Sequence, residues 1–270
     1  MRALLASPLG FLIGLSLGAL GGGGSILAVP ALVYAAGQSP KHATTTSLVL
    51  VALTALIGIV PHWRAGRVRI AAGTIFGLAG VGGSLLGSHW NKAANPDVLL
   101  LAFSGLMLIA AYGMWRRVTR TPQEEALQSV GAAAAPPVSP GIAGIQPMTV
   151  VKVIGAGTIV GLLTGFFGVG GGFVIVPALV LALGFTMPDA IGTSLLVITI
   201  NSAVALTTRL QAGAIDWGTV IPFTIASLLG VMVGSRLART RDSSSLQRWF
   251  VGLLVVVAVY TAIRSGLALR

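Results

Sequence analysis

The 270-residue chain contains no cysteine and only six acidic residues. Without cysteine there is no disulfide, no thiolate metal site and no cysteine nucleophile. The three histidines, His42, His62 and His89, are scattered, and no pair of carboxylates falls inside an apolar stretch. That inventory leaves no metal cluster, dyad or triad, so neither an enzyme nor a bound cofactor is expected. Charge of either sign is scarce. Asp, Glu, Lys and Arg make up 9% of the residues, against about a quarter in soluble domains. Such a chain lacks the polar surface to stay in water.

What it has instead is apolar sequence, 55% of the whole. Eight segments can be read, at 9–37, 43–61, 70–90, 98–115, 150–184, 190–208, 217–237 and 246–263. Each approaches or exceeds the ~20 residues that span a bilayer. The tryptophans Trp63, Trp90, Trp115, Trp217 and Trp249 all fall at segment ends, where an aromatic belt sits at the membrane interface. The formal charge of +11 would suggest nucleic acid in a soluble protein. Here the arginines lie in short loops between apolar segments, which is the pattern that orients membrane proteins. The expected surroundings are a lipid bilayer, with no nucleic acid partner. Arg2 followed by an apolar run resembles a signal peptide, but that run has a counterpart in mid-chain.

The counterpart is part of a duplication. Shifted by 147 positions, 14–90 aligns with 161–237 without a gap, with 24 of 77 residues identical. The best stretch reads GLSLGALGGGGSILAVPALVYAAG from Gly14 and GLLTGFFGVGGGFVIVPALVLALG from Gly161. The first and fifth segments are about 30 residues long, and each is broken in the middle by glycines that disfavour helix. Each flanking half has roughly 12 residues, about 18 Å of helix. Backbone freed at membrane depth must be buried in protein or line a wet cavity. Each segment is therefore a discontinuous crossing helix or a re-entrant hairpin with a glycine tip.

The arginines bear on that choice. They cluster at Arg64, Arg67 and Arg69, at Arg116, Arg117 and Arg120, and at Arg236, Arg239 and Arg241 with Arg248. With two re-entrant segments all three clusters share a side; with eight plain crossings the third lies opposite. Matched loops alternate between rich and poor in arginine, as copies facing opposite ways would. The expected fold is an all-α integral membrane protein of two inverted repeats, 1–120 and 149–270. Each has a glycine-broken or re-entrant first segment followed by three transmembrane helices. The linker 121–148, with Glu124, Glu125 and an Ala-Pro run, cannot bury a core and is placed in the cytoplasm, with both termini outside.

Glycine breaks at half-helix ends suit an anion. The first N–H groups of a helix lack internal partners, and the dipole puts partial positive charge there. Gly23, Gly24 and Ser25 in one copy, and Gly170, Gly171 and Gly172 in the other, are the candidate ligands. Close helix packing is the competing explanation for these glycines. Pro30 and Pro177 are expected to end or kink the second half-helix. A second constellation opens segments two and six, where Thr46 and Ser47 align with Thr193 and Ser194. Thr44 and Thr45 precede the first pair and read better as caps or helix–helix hydrogen bonds. Asn201, aligned with Thr54, is an amide deep in an apolar run, a place where a partner or ligand is usual. His62, Arg64, Arg209 and Gln211 stand at the ends of segments two and six; attraction of an anion to a pore mouth competes there with snorkelling to lipid. The residues thus point to a transporter for a small anionic substrate. A passive channel of the same build and a purely structural membrane protein are the alternatives, and a homo-oligomer is compatible with either.

The repeated G-x-G-G-G-x-x-x-V-P-A-L pattern, the eight segments and the central linker resemble the sulfite exporter TauE/SafE family of bacterial membrane permeases. The first copy departs from the pattern in having Ser25 where the second has Gly172. The resemblance covers nearly the whole chain. It implies a multi-pass protein of the bacterial inner membrane that moves sulfite, a sulfonate or another organosulfur anion.

Overall fold

The computed structural model describes residues 7–34, 37–38, 40–91, 96–119, 147–167, 172–209 and 217–268. Among the described residues all regular structure is helical, in the order α1 (Ser7–Leu20), α2 (Gly23–Tyr34), α3 (Pro40–Arg64), α4 (Ile70–Asn91), α5 (Pro96–Val118), α6 (Pro147–Phe167), α7 (Gly172–Leu181), α8 (Met187–Arg209), α9 (Trp217–Thr240) and α10 (Ser243–Ala268). Six of these, α3, α4, α6, α8, α9 and α10, contain stretches long and apolar enough to cross a membrane. The chain is an all-helical, multi-pass membrane protein. Most of the linker lies outside the described residues.

The helices carry apolar side chains on both sides. Ile13, Leu50, Phe76, Phe173 and Phe250 are packed inside, while Leu78, Ile109, Ile159 and Val256 stand outward, each more than half exposed. Outward leucine and isoleucine on this scale belong against lipid, since water would not tolerate so broad an apolar surface. Trp63, Trp90, Trp115 and Trp249 are all exposed at helix ends, as an interfacial belt requires.

The two most extensive helix interfaces are α1–α9 and α4–α6. Both are parallel and both are built on glycine. In the first, Gly14 faces the Ser227 carbonyl, Gly18 that of Val231, Gly230 that of Phe11 and Gly234 that of Leu15; a Cβ at any of these glycines would collide with backbone. In the second, Gly161 faces Gly80, Gly165 faces Ser84, Gly83 faces Thr158 and Gly87 faces Leu162. Each contact of one seam maps onto one of the other by the 147-residue shift. Small residues let membrane helices approach until their backbones touch, where dispersion replaces the missing hydrophobic drive. Ser227 adds a hydrogen bond across the first seam, donating to the Gly10 carbonyl at 2.8 Å.

Two segments double back. Gly24 packs on the carbonyl of Ile13 and the side chain of Leu17, so α2 reverses along α1 instead of extending it. With 14 and 12 residues, the pair reaches only about 21 and 18 Å. The second copy differs from the symmetric expectation of short flanks. α6 has 21 residues, the length of a span, while α7 has only 10. α6 starts beside the start of α4, with Gly157 against Phe76. α7 ends beside the end of α5, where the Arg117 guanidinium donates to the Val180 carbonyl and, at 3.4 Å, to that of Gly184.

Arginine ties the helix ends together on one face. Arg67 donates to the Ala238 carbonyl of α9 at 3.4 Å, and Arg69 pairs with Asp189 of α8 at 2.9 Å. Gln247 of α10 donates to the Met114 carbonyl of α5 at 2.9 Å. These links gather the loop after α3 and the ends of α5 and α9, the sites of the three arginine clusters, at one end of the bundle. Cations are favoured there, beside the negative ends of α5, α7 and α9. Asp242 caps α10 by accepting from the Ser244 hydroxyl and the Ser245 N–H. Those donors, Ser244 first, hold its carboxyl down to about 2, so it is ionised throughout the physiological range.

Candidate anion site at the glycine breaks

The first helix stops because Gly21 turns left-handed, with φ +72°, while its N–H still donates to the Leu17 carbonyl at 2.8 Å. Only glycine adopts that geometry without strain, and it is the usual end of a helix. α2 then begins at Gly23. Its start meets the start of α7: a Cβ on Gly22 would collide with the Gly172 carbonyl, and one on Gly172 would meet the Ser25 hydroxyl. Two helix N-termini from the two copies therefore come together inside the bundle. Gly21 to Ser25 and Gly172 are all buried.

The residues singled out from the sequence fall into three groups. Ser25 and Gly172 are in contact at this junction, and Ser194 joins them, its hydroxyl set against Gly21. Both hydroxyls are turned onto their own backbones, Ser25 donating to the Gly22 carbonyl and Ser194 to that of Ile191, each at 2.8 Å. To hold an anion, each O–H has to rotate away from that carbonyl. Gly23 and Gly24 carry the first N–H groups of α2, and their missing side chains make room for Leu253 and Ser16 and for Ile13 and Leu17. Gly170 and Gly171 lie outside the described residues, as do the side chains of Thr44, Thr45 and Arg209.

The threonine pair behaves differently. Thr193 is buried and accepts the Arg69 backbone N–H at 3.1 Å. It thereby anchors the loop between α3 and α4 and faces away from the break. Thr46 and Ser47 are buried near the start of α3. Asn201 lies two turns beyond Ser194, beside Gly80 of α4, and its Oδ1 is buried without a partner among the described residues. Its aligned residue Thr54 is satisfied within its own helix, donating to the Leu50 carbonyl at 2.6 Å, so only one copy leaves an acceptor open here. The prolines do not end the half-helices: α7 runs past Pro177 to Leu181, and α2 past Pro30 to Tyr34.

One residue was named but misplaced. His62 is not an exposed interfacial residue but wholly buried, with Nε2 3.4 Å from the Gly18 carbonyl and Nδ1 without a partner among the described residues. The sequence signal was the four-residue spacing of Gly10, Gly14 and Gly18, which makes α1 a close-packing helix and draws its C-terminal end onto α3.

The chemistry available at the junction is that of neutral donors. Helix N-termini carry partial positive charge and unpaired N–H groups. Asp189, the acid nearest in sequence, is committed to Arg69. Among the described residues no group of three metal-ligating side chains assembles.

A family model described as "Sulfite exporter TauE/SafE" matches residues 6–261. A "Probable membrane transporter protein" of Xylella fastidiosa (strain 9a5c) is 34% identical over 264 residues, covering 96% of this chain and 95% of the relative. A "Probable membrane transporter protein YunE" of Bacillus subtilis (strain 168) is 24% identical over 254 residues, covering 90% and 88%. No solved structure matches the chain.

Proposed function

The chain belongs to the sulfite exporter TauE/SafE family of membrane transporters, and on that premise we propose that it carries a small oxyanion, sulfite or an organosulfonate, across the bacterial inner membrane. The observation that carries this reading is the contact of Gly22 with Gly172. It sets two helix N-termini at one buried point, where backbone N–H groups can hold an anion that must also leave. Gly172, Ser25 and Ser194 line it, Gly170 and Gly171 adjoin it in sequence, and Ser47, Thr46 and Asn201 extend it along α3 and α8. A buried lysine or arginine would bind more tightly but at a high desolvation cost.

The architecture that suits this task is two inverted repeats, each a hairpin followed by three crossings. Three observations support it. The glycine seams α1–α9 and α4–α6 exchange under the 147-residue shift. α1 and α2 fold back from one face, whereas α6 enters and α7 returns at the other. The arginine clusters gather at a single face, which the positive-inside rule makes cytoplasmic. Reporter fusions at residue 130 and at the C-terminus are accordingly expected on opposite sides, the former inside. Both on one side would dismiss the inverted arrangement.

Proteoliposome flux with sulfite, thiosulfate, sulfoacetate, taurine and carboxylate analogues tests the function. Saturable uptake of a sulfur oxyanion, accelerated by the same anion on the far side, is expected of a carrier. Uptake without such exchange would favour a channel, and a preference for cations or neutral solutes would overturn the reading.

A further inference from the structure

His62 lies in the last turn of α3 with no exposed surface. Its surroundings come from four other elements. From α1, the Gly18 carbonyl oxygen is 3.4 Å from Nε2, and α1 bears no charged residue. From α8, Gly192 is so close that a Cβ there would lie 3.1 Å from the His62 Cβ; Asp189 of that helix is taken up by Arg69. The loop after α3 supplies Arg67, whose backbone N–H donates to the His62 carbonyl at 3.0 Å. From α9, the Ala238 carbonyl that Arg67 holds at 3.4 Å brings the adjacent Arg239 to the same loop.

α9 also brings Ser235 to the same place. Ser235 is wholly buried, its backbone nitrogen would be 2.9 Å from a Cβ on Gly18, and among the described residues its hydroxyl has no partner. Two buried polar groups, His62 Nδ1 and Ser235 Oγ, thus stand open on helices that both touch Gly18. Buried polar atoms are nearly always paired, and an exception calls for an occupant. With Nε2–H given to Gly18, the neutral ring keeps a bare lone pair on Nδ1. A proton taken from the aqueous face onto Nδ1 would make an imidazolium beside two guanidiniums. A buried imidazolium is repelled by the half-buried Arg67 and the exposed Arg239, and an oxyanion is the ligand that offsets this while accepting from the new N–H and from the serine.

We propose that His62, Ser235, Arg67 and Arg239 form a proton-dependent oxyanion site at the arginine-rich end, in which one proton binds His62 Nδ1 with each anion. This deepens the anion-transport reading and rests on it. Proton and anion then raise each other's affinity by the same factor, and a proton becomes the coupling ion. In the second copy the position of His62 is held by Arg209, which cannot titrate. The coupling is therefore confined to one end of the path.

The test is binding of thiosulfate and methanesulfonate to the purified full chain by calorimetry between pH 6 and 8. Neither anion changes charge in that range. The wild type is expected to lose about tenfold in affinity per pH unit and to take up about one proton per anion, read from buffers of different ionisation heat. H62Q keeps an amide donor for Gly18 but has no basic nitrogen, and its affinity is expected to be flat with pH. Wild-type binding with no pH dependence and no proton uptake, or H62Q with the slope retained, would overturn the proposal and leave the anion reading standing. Absence of any anion binding by the wild type would bring down both. Should H62Q fail to fold, proton uptake by the wild type decides alone.

Discussion

Gly14→Leu and Gly161→Leu are each expected to abolish the folded protein, while Gly155→Leu leaves it intact. Gly14 and Gly161 occupy equivalent places in the two glycine seams, where even a Cβ would strike the backbone of Ser227 or Gly80. Overpacking costs about 1–3 kcal/mol where neighbouring side chains can move. Here the obstacle is a carbonyl of a helix backbone, so the helices must separate and every contact of the seam goes with them. That is a large share of a total stability of about 5–15 kcal/mol. Gly155 lies two positions before Gly157 on the same helix, is exposed and has nothing within 4 Å, so its replacement belongs within about 0.5 kcal/mol of neutral. Fluorescent size-exclusion profiles and melts of the three variants decide it. A monodisperse Gly161→Leu that melts like the wild type would show that the seam yields.

The second large effect is expected at the junction. Gly22→Val and Gly172→Val should bring flux down to that of empty liposomes, and Gly82→Val should not. A side chain at Gly22 enters the space against the Gly172 carbonyl, and one at Gly172 enters that of the Ser25 hydroxyl. Either pries the two helix starts apart and covers the N–H groups that the anion would use. Gly82 faces open space on α4. Melting curves taken beside the flux assay separate a blocked site from a collapsed bundle. Normal flux in both junction variants would return these glycines to packing alone.

Much of the fold could be read in the sequence because its signals are local. Runs of apolar residues long enough to span became α3, α4, α8, α9 and α10 within a few residues of the expected limits. Glycine at 21 and 22 broke the first helix where propensity says it must. What escaped depended on partners far away in the chain. Gly14 and Gly161 read as unremarkable until Ser227 and Gly80 were seen against them. Gly23 and Gly24 were chosen for their N–H groups; that Gly24 also packs closely onto α1 shows only once α2 is seen to reverse. His62 stood beside Trp63 and Arg64 and so read as interfacial; its burial comes from Gly18, 44 positions earlier. The longer α6 was already present in the sequence, where 150–167 puts 18 residues ahead of the glycine break, and Pro147, Met148 and Thr149 add only its start.

The seams also decide the order in which this molecule can be completed. α1 is made long before α9, is too short to cross the bilayer and bears a glycine groove fitted to that helix, which begins only at Trp217. The groove of α4 waits likewise for α6, beyond the linker. During synthesis the leading half therefore emerges with two unfilled grooves, one of them until nearly the last helix has been inserted. A ribosome that stops after residue 120 releases a half-molecule unable to close on itself.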